Sequence, residues 1–142
     1  DRMVDEEVYT PSGNVWRVTC VSMGNPHAVI FVDDVEGLNL PAIGPEMEKH
    51  AMFPERANIE FAQVTGPHEV QMRVWERGSG ETLACGTGAC ACAVASVLTG
   101  KADRDVTVHL RGGDLHVFWD PDTDDVYMEG PAAFVFDGTV EI

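Results

Sequence analysis

The sequence is short of positive charge. Nine Lys and Arg residues stand against 24 Asp and Glu, a formal net charge of −15 over 142 residues. That balance argues against nucleic acid and anionic membrane surfaces as partners, since both would repel it. No apolar run approaches the ~20 residues a membrane-spanning helix needs, and no basic-then-apolar leader opens the chain. Low-complexity tracts and internal repeats are also missing. Cysteine is sparse: Cys20, Cys85, Cys90 and Cys92 are the four present. With no secretion signal, reduced thiols and a cytoplasmic location are expected. Cys90 and Cys92 would point roughly 200° apart on a helix, so they are not expected to pair. Cys85, Cys90 and Cys92 match no common zinc spacing, and the run from Asp120 to Asp125 lacks the glycine and distant glutamate of an EF-hand loop. The expectation is no metal.

What is present suits one ordered domain. Hydrophobic residues make up 44% of the chain, and its length permits a sizeable core. The organising stretch is Met72 to Leu98. Val70, Met72 and Val74 alternate as one apolar face of a strand, and period 2 puts Glu76 on the same inward side. Gly78 and Gly80 break the strand. Cys85 follows, then Gly86, Thr87 and Gly88, and a helix is predicted over 89–98 with Gly100 as its stop. Nothing charged lies on that helix, and a helix apolar all round is buried.

Cys85 is therefore expected just before a helix N-terminus, among backbone N–H groups that favour thiolate over thiol and suit a carboxylate ligand. Taken alone, a single cysteine there reads as a packing residue. The inward Glu76 and the dense glycines shift the reading toward a nucleophile or a proton-transfer base.

The rest of the chain reads as strands and turns. Residues 1–14 are polar and acidic, a loose lead-in or linker remnant, and 15–142 form the domain. Trp16, Val18 and Cys20 alternate as a half-buried strand, with Cys20 on the apolar side. A turn at Gly24-Asn25-Pro26-His27 precedes a strand over 28–32, and a short helix is predicted over 41–50. In the strand over 57–64, Ile59 and Phe61 share one face, Asn58 and Glu60 the other. Strands follow over 69–76, 106–110, 115–119, 126–129 and 133–140. On their own, Asn25, His27 and Asn58 serve equally as turn, packing and strand residues. About eight strands against two helices argue for an α+β domain, a curled sheet wrapped around the apolar helix.

Three ordered segments resemble the diaminopimelate epimerase family: Met23-Gly24-Asn25-Pro26-His27, Arg56-Ala57-Asn58-Ile59-Glu60-Phe61, and the central Glu76-Arg77-Gly78-Ser79-Gly80-Glu81-Thr82 with Ala84-Cys85-Gly86-Thr87-Gly88-Ala89. The resemblance implies a barrel-like mixed sheet around a central helix whose N-terminus faces a cleft between two such domains. It implies epimerisation of LL- to meso-diaminopimelate, in lysine biosynthesis, with no pyridoxal or other cofactor. These enzymes have two homologous halves with one catalytic cysteine each, and this chain resembles the second half. By the same resemblance Cys85 is the acid/base thiol. Gly86 and Thr87 hold the α-carboxylate and Glu76 the α-ammonium. Asn25, Asn58 and Arg77 read the distal end, and His27 lines the site.

The implied partners are the amino-acid substrate and the N-terminal half, with a homodimer of two half-sites as a remoter possibility. The isolated chain is expected to be inactive. Competing readings are a proline racemase-like isomerase, a binding domain that kept the fold without the chemistry, and a cysteine hydrolase that would need a histidine beside Cys85.

Overall fold

A computed structural model describes residues 3–142. Among them are nine strands and two helices. In chain order these are β1 (Glu6–Tyr9), β2 (Val15–Ser22), β3 (Pro26–Phe31), α1 (Leu40–Glu48), β4 (Asn58–Gly66), β5 (Glu69–Glu76), β6 (Gly80–Thr82), α2 (Gly86–Leu98), β7 (Asp105–Leu110), β8 (Gly113–Trp119) and β9 (Val126–Glu129). The strands make one mixed sheet in the order β1-β2-β3-β4-β5-β7-β8-β9, with β6 turned back on β5. Only β3–β4 and β5–β7 are parallel. Parallel neighbours need a crossover, and the two helices supply them, α1 between β3 and β4 and α2 between β5 and β7.

The helices lie on opposite faces of the sheet. Alternation decides which residues each one meets. Ala28, Ile30, Ile59 and Phe61 join Leu40 and Met47 of α1 in one core. Val29, Ala62, Val70, Met72 and Val74 face the other way and pack with Ala89 to Ala95 of α2. The sheet curls round α2, which touches β2 through β5 and β7 through β9. Glycine, alanine and cysteine dominate its first two turns, and small side chains let strands approach from several sides. The helix is buried from Gly88 to Ser96, and Ser96 Oγ satisfies itself on the Cys92 carbonyl at 2.7 Å. Gly100, at φ +69°, ends it. On the other face Gly44 gives α1 its close approach, since a Cβ there would fall 2.4 Å from the Trp75 ring.

Two sequence expectations are corrected, and one short strand was not foreseen. The segment 1–14 is not a loose lead-in: Asp1 and Arg2 lie outside the described residues, but Glu6–Tyr9 pairs antiparallel with β2 and buries Val8 to 3% exposure. An acidic edge strand with one inward valine carries too little alternation to stand out. The glycines after Glu76 break the strand as expected, and the chain then returns beside it as the unforeseen short strand. Gly78, at φ +80°, makes a tight turn, and Gly80–Thr82 returns along β5. The strand expected over 133–140 is absent. Phe134, Val135, Phe136 and Val140 stand exposed. A strand exists only against a neighbour, and among the described residues this segment pairs with none.

Candidate functional site

The site gathers where three turns meet the start of α2. Cys85 is the N-cap residue of α2, with extended backbone (φ −146°, ψ 106°), and the helix begins at Gly86 rather than at 89. At that position Sγ stands over the first-turn N–H groups, which have no partner within the helix. The side chain is half-buried, and Thr87 Oγ1 lies 3.8 Å from Sγ.

The electrostatics of the thiol differ from the expectation built on the helix start. Burial pushes the Cys85 thiol above its ordinary value. The Gly88 N–H and the Thr87 hydroxyl pull it down, as a helix start should, while the nearby Glu60 and Glu76 carboxylates add to the rise. Burial and two acids outweigh the helix, so the resting form in this chain is the thiol.

Glu76 stands at the end of β5, on the face of Val70, Met72 and Val74, as period 2 requires. Its carboxylate receives the Thr82 hydroxyl from the returning strand β6. Asn25 extends from the turn after β2. Its Nδ2 donates to Thr87 Oγ1 at 3.2 Å, tying that turn to the helix start. His27 is buried beneath both. Its Nε2 lies 3.0 Å from Asn25 Oδ1 and 3.1 Å from Thr87 Oγ1, while Nδ1 lies 2.6 Å from Glu60 Oε1. His27 thus touches the site through Asn25 and Thr87.

Asn58 and Arg77 stand differently. Asn58 is 5% exposed, and both ends of its amide are engaged by backbone. Nδ2 donates to the Pro26 carbonyl at 3.1 Å, and Oδ1 accepts the Arg77 N–H at 2.8 Å. It holds two site turns in register. The Arg77 side chain is exposed and donates to the Glu55 carbonyl at 3.2 Å. The turn that presents it is pinned from α1: Glu48, buried at the helix end, accepts the Gly78 N–H at 3.0 Å and the Trp75 Nε1–H at 2.9 Å.

Two residues of this constellation escaped the sequence reading. Glu60 lies on the inward face of β4, opposite Val29 in the parallel register and fully buried. Alternation set it opposite the apolar Ile59 and Phe61, and it is buried because α2 covers that second face of the sheet as well. Gly88 is the other. A Cβ there would meet Glu60 Oε1 at 2.8 Å and Cys85 Sγ at 3.1 Å, so only glycine lets these two groups approach each other.

Comparison with known proteins follows the geometry. The family profile described as Diaminopimelate epimerase matches residues 19–135. The chain is 57% identical over 136 residues to the diaminopimelate epimerase of Moorella thermoacetica, covering 96% of this chain and 48% of that protein. With the diaminopimelate epimerase of Agathobacter rectalis it shares 53% over 141 residues, 99% of this chain and 49% of that one. The chain thus spans about half the length of the curated relatives it matches.

Solved structures show the same fold at much lower identity. A Bacillus anthracis phenazine biosynthesis protein of the PhzF family superposes with a TM-score of 0.54 at 18% identity, over 80% of this chain and 38% of that one. A PhzF-family protein from Enterococcus faecalis gives 0.53 at 19%, over 75% and 40%. A profile running from β2 past β9, with relatives more than half identical along nearly the whole length, leaves one conclusion: this chain belongs to the diaminopimelate epimerase family.

Proposed function

We propose that this chain supplies one half of the active site of a diaminopimelate epimerase, interconverting LL- and meso-diaminopimelate by proton transfer between two cysteines. The observation that carries the reading is Cys85 at the N-cap of a buried helix, with Thr87 beside Sγ and Glu76 close enough to raise its thiol. Inversion needs two thiols on opposite faces of the α-carbon. One thiolate takes the α-proton and leaves its electron pair on carbon. The opposing thiol then gives its proton to the other face, so the two sulfurs exchange protonation states. A single thiol would return the proton to the face it came from.

In this scheme Cys85 is one member of the pair, acting as acid or base according to the direction of the reaction. The Gly86 and Thr87 N–H groups receive the α-carboxylate and steady the charge that builds on it. Glu76 meets the α-ammonium. Arg77 and Asn25 read the distal end, a bidentate carboxylate contact suiting the guanidinium. Asn58 serves by fixing the Arg77 backbone. The scheme requires no cofactor.

The second cysteine would come from an N-terminal half, whose docking would also cover Phe134, Val135 and Phe136, now exposed. The decisive assay measures turnover of the 142-residue chain alone and after addition of a separately produced N-terminal half. The lone chain should be inactive and the mixture active on diaminopimelate. Turnover by the lone chain, or turnover of proline but not diaminopimelate by the mixture, refutes the reading.

A further inference from the structure

Glu60 is an acid placed where water does not reach. Its side chain has 0% exposure, as has that of His27, and Oε2 has no hydrogen-bond partner among the described residues. An ionised carboxylate in such a place is strongly disfavoured unless its charge is matched. Burial pushes the Glu60 carboxyl up, against the pull of His27. The other titratable groups around it do not match the charge: Cys85 and Cys92 on α2 and Glu76 on β5 are all acids.

Two arrangements remove the net charge and leave no buried donor unpaired. Glu60 is ionised against an imidazolium, or a neutral carboxyl donates to Nδ1 of a neutral ring. In both, His27 Nε2 carries a hydrogen. Nε2 is bare only when Nδ1–H donates to Oε1, and then the site buries either an unmatched carboxylate charge or a carboxyl proton on Oε2, which has no partner among the described residues. The neighbours of Nε2 agree. Asn25 Oδ1, a pure acceptor, lies 3.0 Å away, while the other end of that amide donates to Thr87 Oγ1 at 3.2 Å.

The consequence reaches Thr87. Its Oγ1 receives Asn25 Nδ2 at 3.2 Å and lies 3.1 Å from His27 Nε2, whose one hydrogen is shared between Thr87 Oγ1 and Asn25 Oδ1. With donors directed at both lone pairs, the hydroxyl hydrogen is left for the remaining neighbour, Cys85 Sγ at 3.8 Å.

We propose that Glu60 is a positioning residue: by sharing one buried proton with His27 it keeps Nε2 a donor and so aims the Thr87 hydroxyl at Cys85. The proposal rests on Cys85 being the acid/base thiol, but its test does not use turnover. Ring 15N NMR of His27 in the 142-residue chain should show Nε2 protonated at neutral pH. In Glu60→Gln the amide is expected to accept from Nδ1–H through its oxygen, so that Nε2 loses its hydrogen and draws the Thr87 hydroxyl to itself; a variant ring still protonated on Nε2, with Nδ1 taking the amide N–H, overturns the proposal.

Alkylation of Cys85 at neutral pH, resolved by peptide mass spectrometry, should then fall about tenfold, the effect of one unit in the thiol's ionisation. Thr87→Val should produce the same fall and abolish any further effect of Glu60→Gln. An unprotonated Nε2 in the wild-type chain, an unchanged or faster alkylation in Glu60→Gln (the result of merely removing a nearby negative charge), or additive effects in the double variant overturns the proposal. If Glu60→Gln does not fold, the wild-type spectrum and Thr87→Val decide it: a protonated Nε2 with slowed alkylation supports it, and either result missing refutes it. Failure of the epimerase reading would appear separately, in turnover of the reconstituted halves.

Discussion

The backbone N–H of Arg77 donates to the side-chain Oδ1 of Asn58 at 2.8 Å, while the other end of the same amide holds the Pro26 carbonyl at 3.1 Å. One buried side chain thus fastens the turn before β3 to the turn after β5. Asn58→Leu keeps the volume roughly constant and orphans both backbone groups. We expect a loss of about 1–3 kcal/mol in urea unfolding. We also expect faster amide exchange at Arg77. A loss within ±0.5 kcal/mol, the range of ordinary surface changes, would mean that water replaces the amide at no cost.

Two glycines are predicted to resist alanine for steric rather than conformational reasons. At Gly44 the added Cβ would lie 2.4 Å from the Trp75 ring, and at Gly88 it would lie 2.8 Å from Glu60 Oε1. Both sit in helices, where alanine would otherwise stabilise by about 1 kcal/mol. Overpacking should reverse the sign, with each variant losing about 1–3 kcal/mol by thermal or urea denaturation. Gly88→Ala should also change the alkylation rate of Cys85, and Gly44→Ala should leave it alone, because α1 lies on the opposite face of the sheet.

Arg73 is a buried cation that organises the loop after β3. Its Nη1 donates to the carbonyls of Val35, Glu36 and Leu38, and its Nε donates to Glu81 at 2.8 Å. Arg73→Met should cost about 3 kcal/mol, the lower end for a broken buried pair, because Glu81 keeps Arg111 at 2.9 Å. The pH dependence follows with a definite sign. Hydrogen bonding to Arg73 holds the Glu81 carboxyl below its ordinary value, against some desolvation. The folded form therefore binds the proton less readily than the unfolded one. This stability is complete above the ordinary carboxylate value of 4.5 and is lost as pH falls through the depressed one. Urea midpoints measured from neutral pH down into that range should converge for wild type and Glu81→Gln.

Cys85 and Cys20 make an internal comparison of thiol environments. Burial raises both, but Cys85 has the Gly88 N–H and the Thr87 hydroxyl to offset it, while Cys20 has only the further push of Glu6. Iodoacetamide should modify Cys85 faster than Cys20 at every pH tested. Its rate should still be climbing at pH 9, the ordinary thiol value, because its own lies higher. A plateau below that pH would show that the helix start wins over burial after all.

Much of the fold was legible because alternation is a local property. Val70, Met72, Val74 and Glu76 take one face of β5, and Ile59 and Phe61 take the face opposite Asn58 and Glu60, as a period of 2 demands. The helix of α2 was legible from its lack of any polar face, though its start lies at Gly86, where glycine and threonine carry weak helix propensity. The two edges fared differently. Glu6–Tyr9 hides one inward residue among acids and was not legible, β9 was read at its observed bounds, and the exposed apolar segment around Phe134 has no partner among the described residues.

The site divides the same way. Cys85 at a helix start, Glu76 turned inward and the glycines between them follow from order along the chain, because neighbours in sequence share a turn or a strand whatever the rest does. The charge state of the thiol does not follow from it. That depends first on burial and also on Glu60, which is 25 residues away in sequence and is brought near Cys85 by the sheet curled around α2. Sequence periodicity determined which side chains point inward. Tertiary packing alone decided which of those inward polar groups meet, because burial and pairing are properties of a position in space and not of a position in the chain.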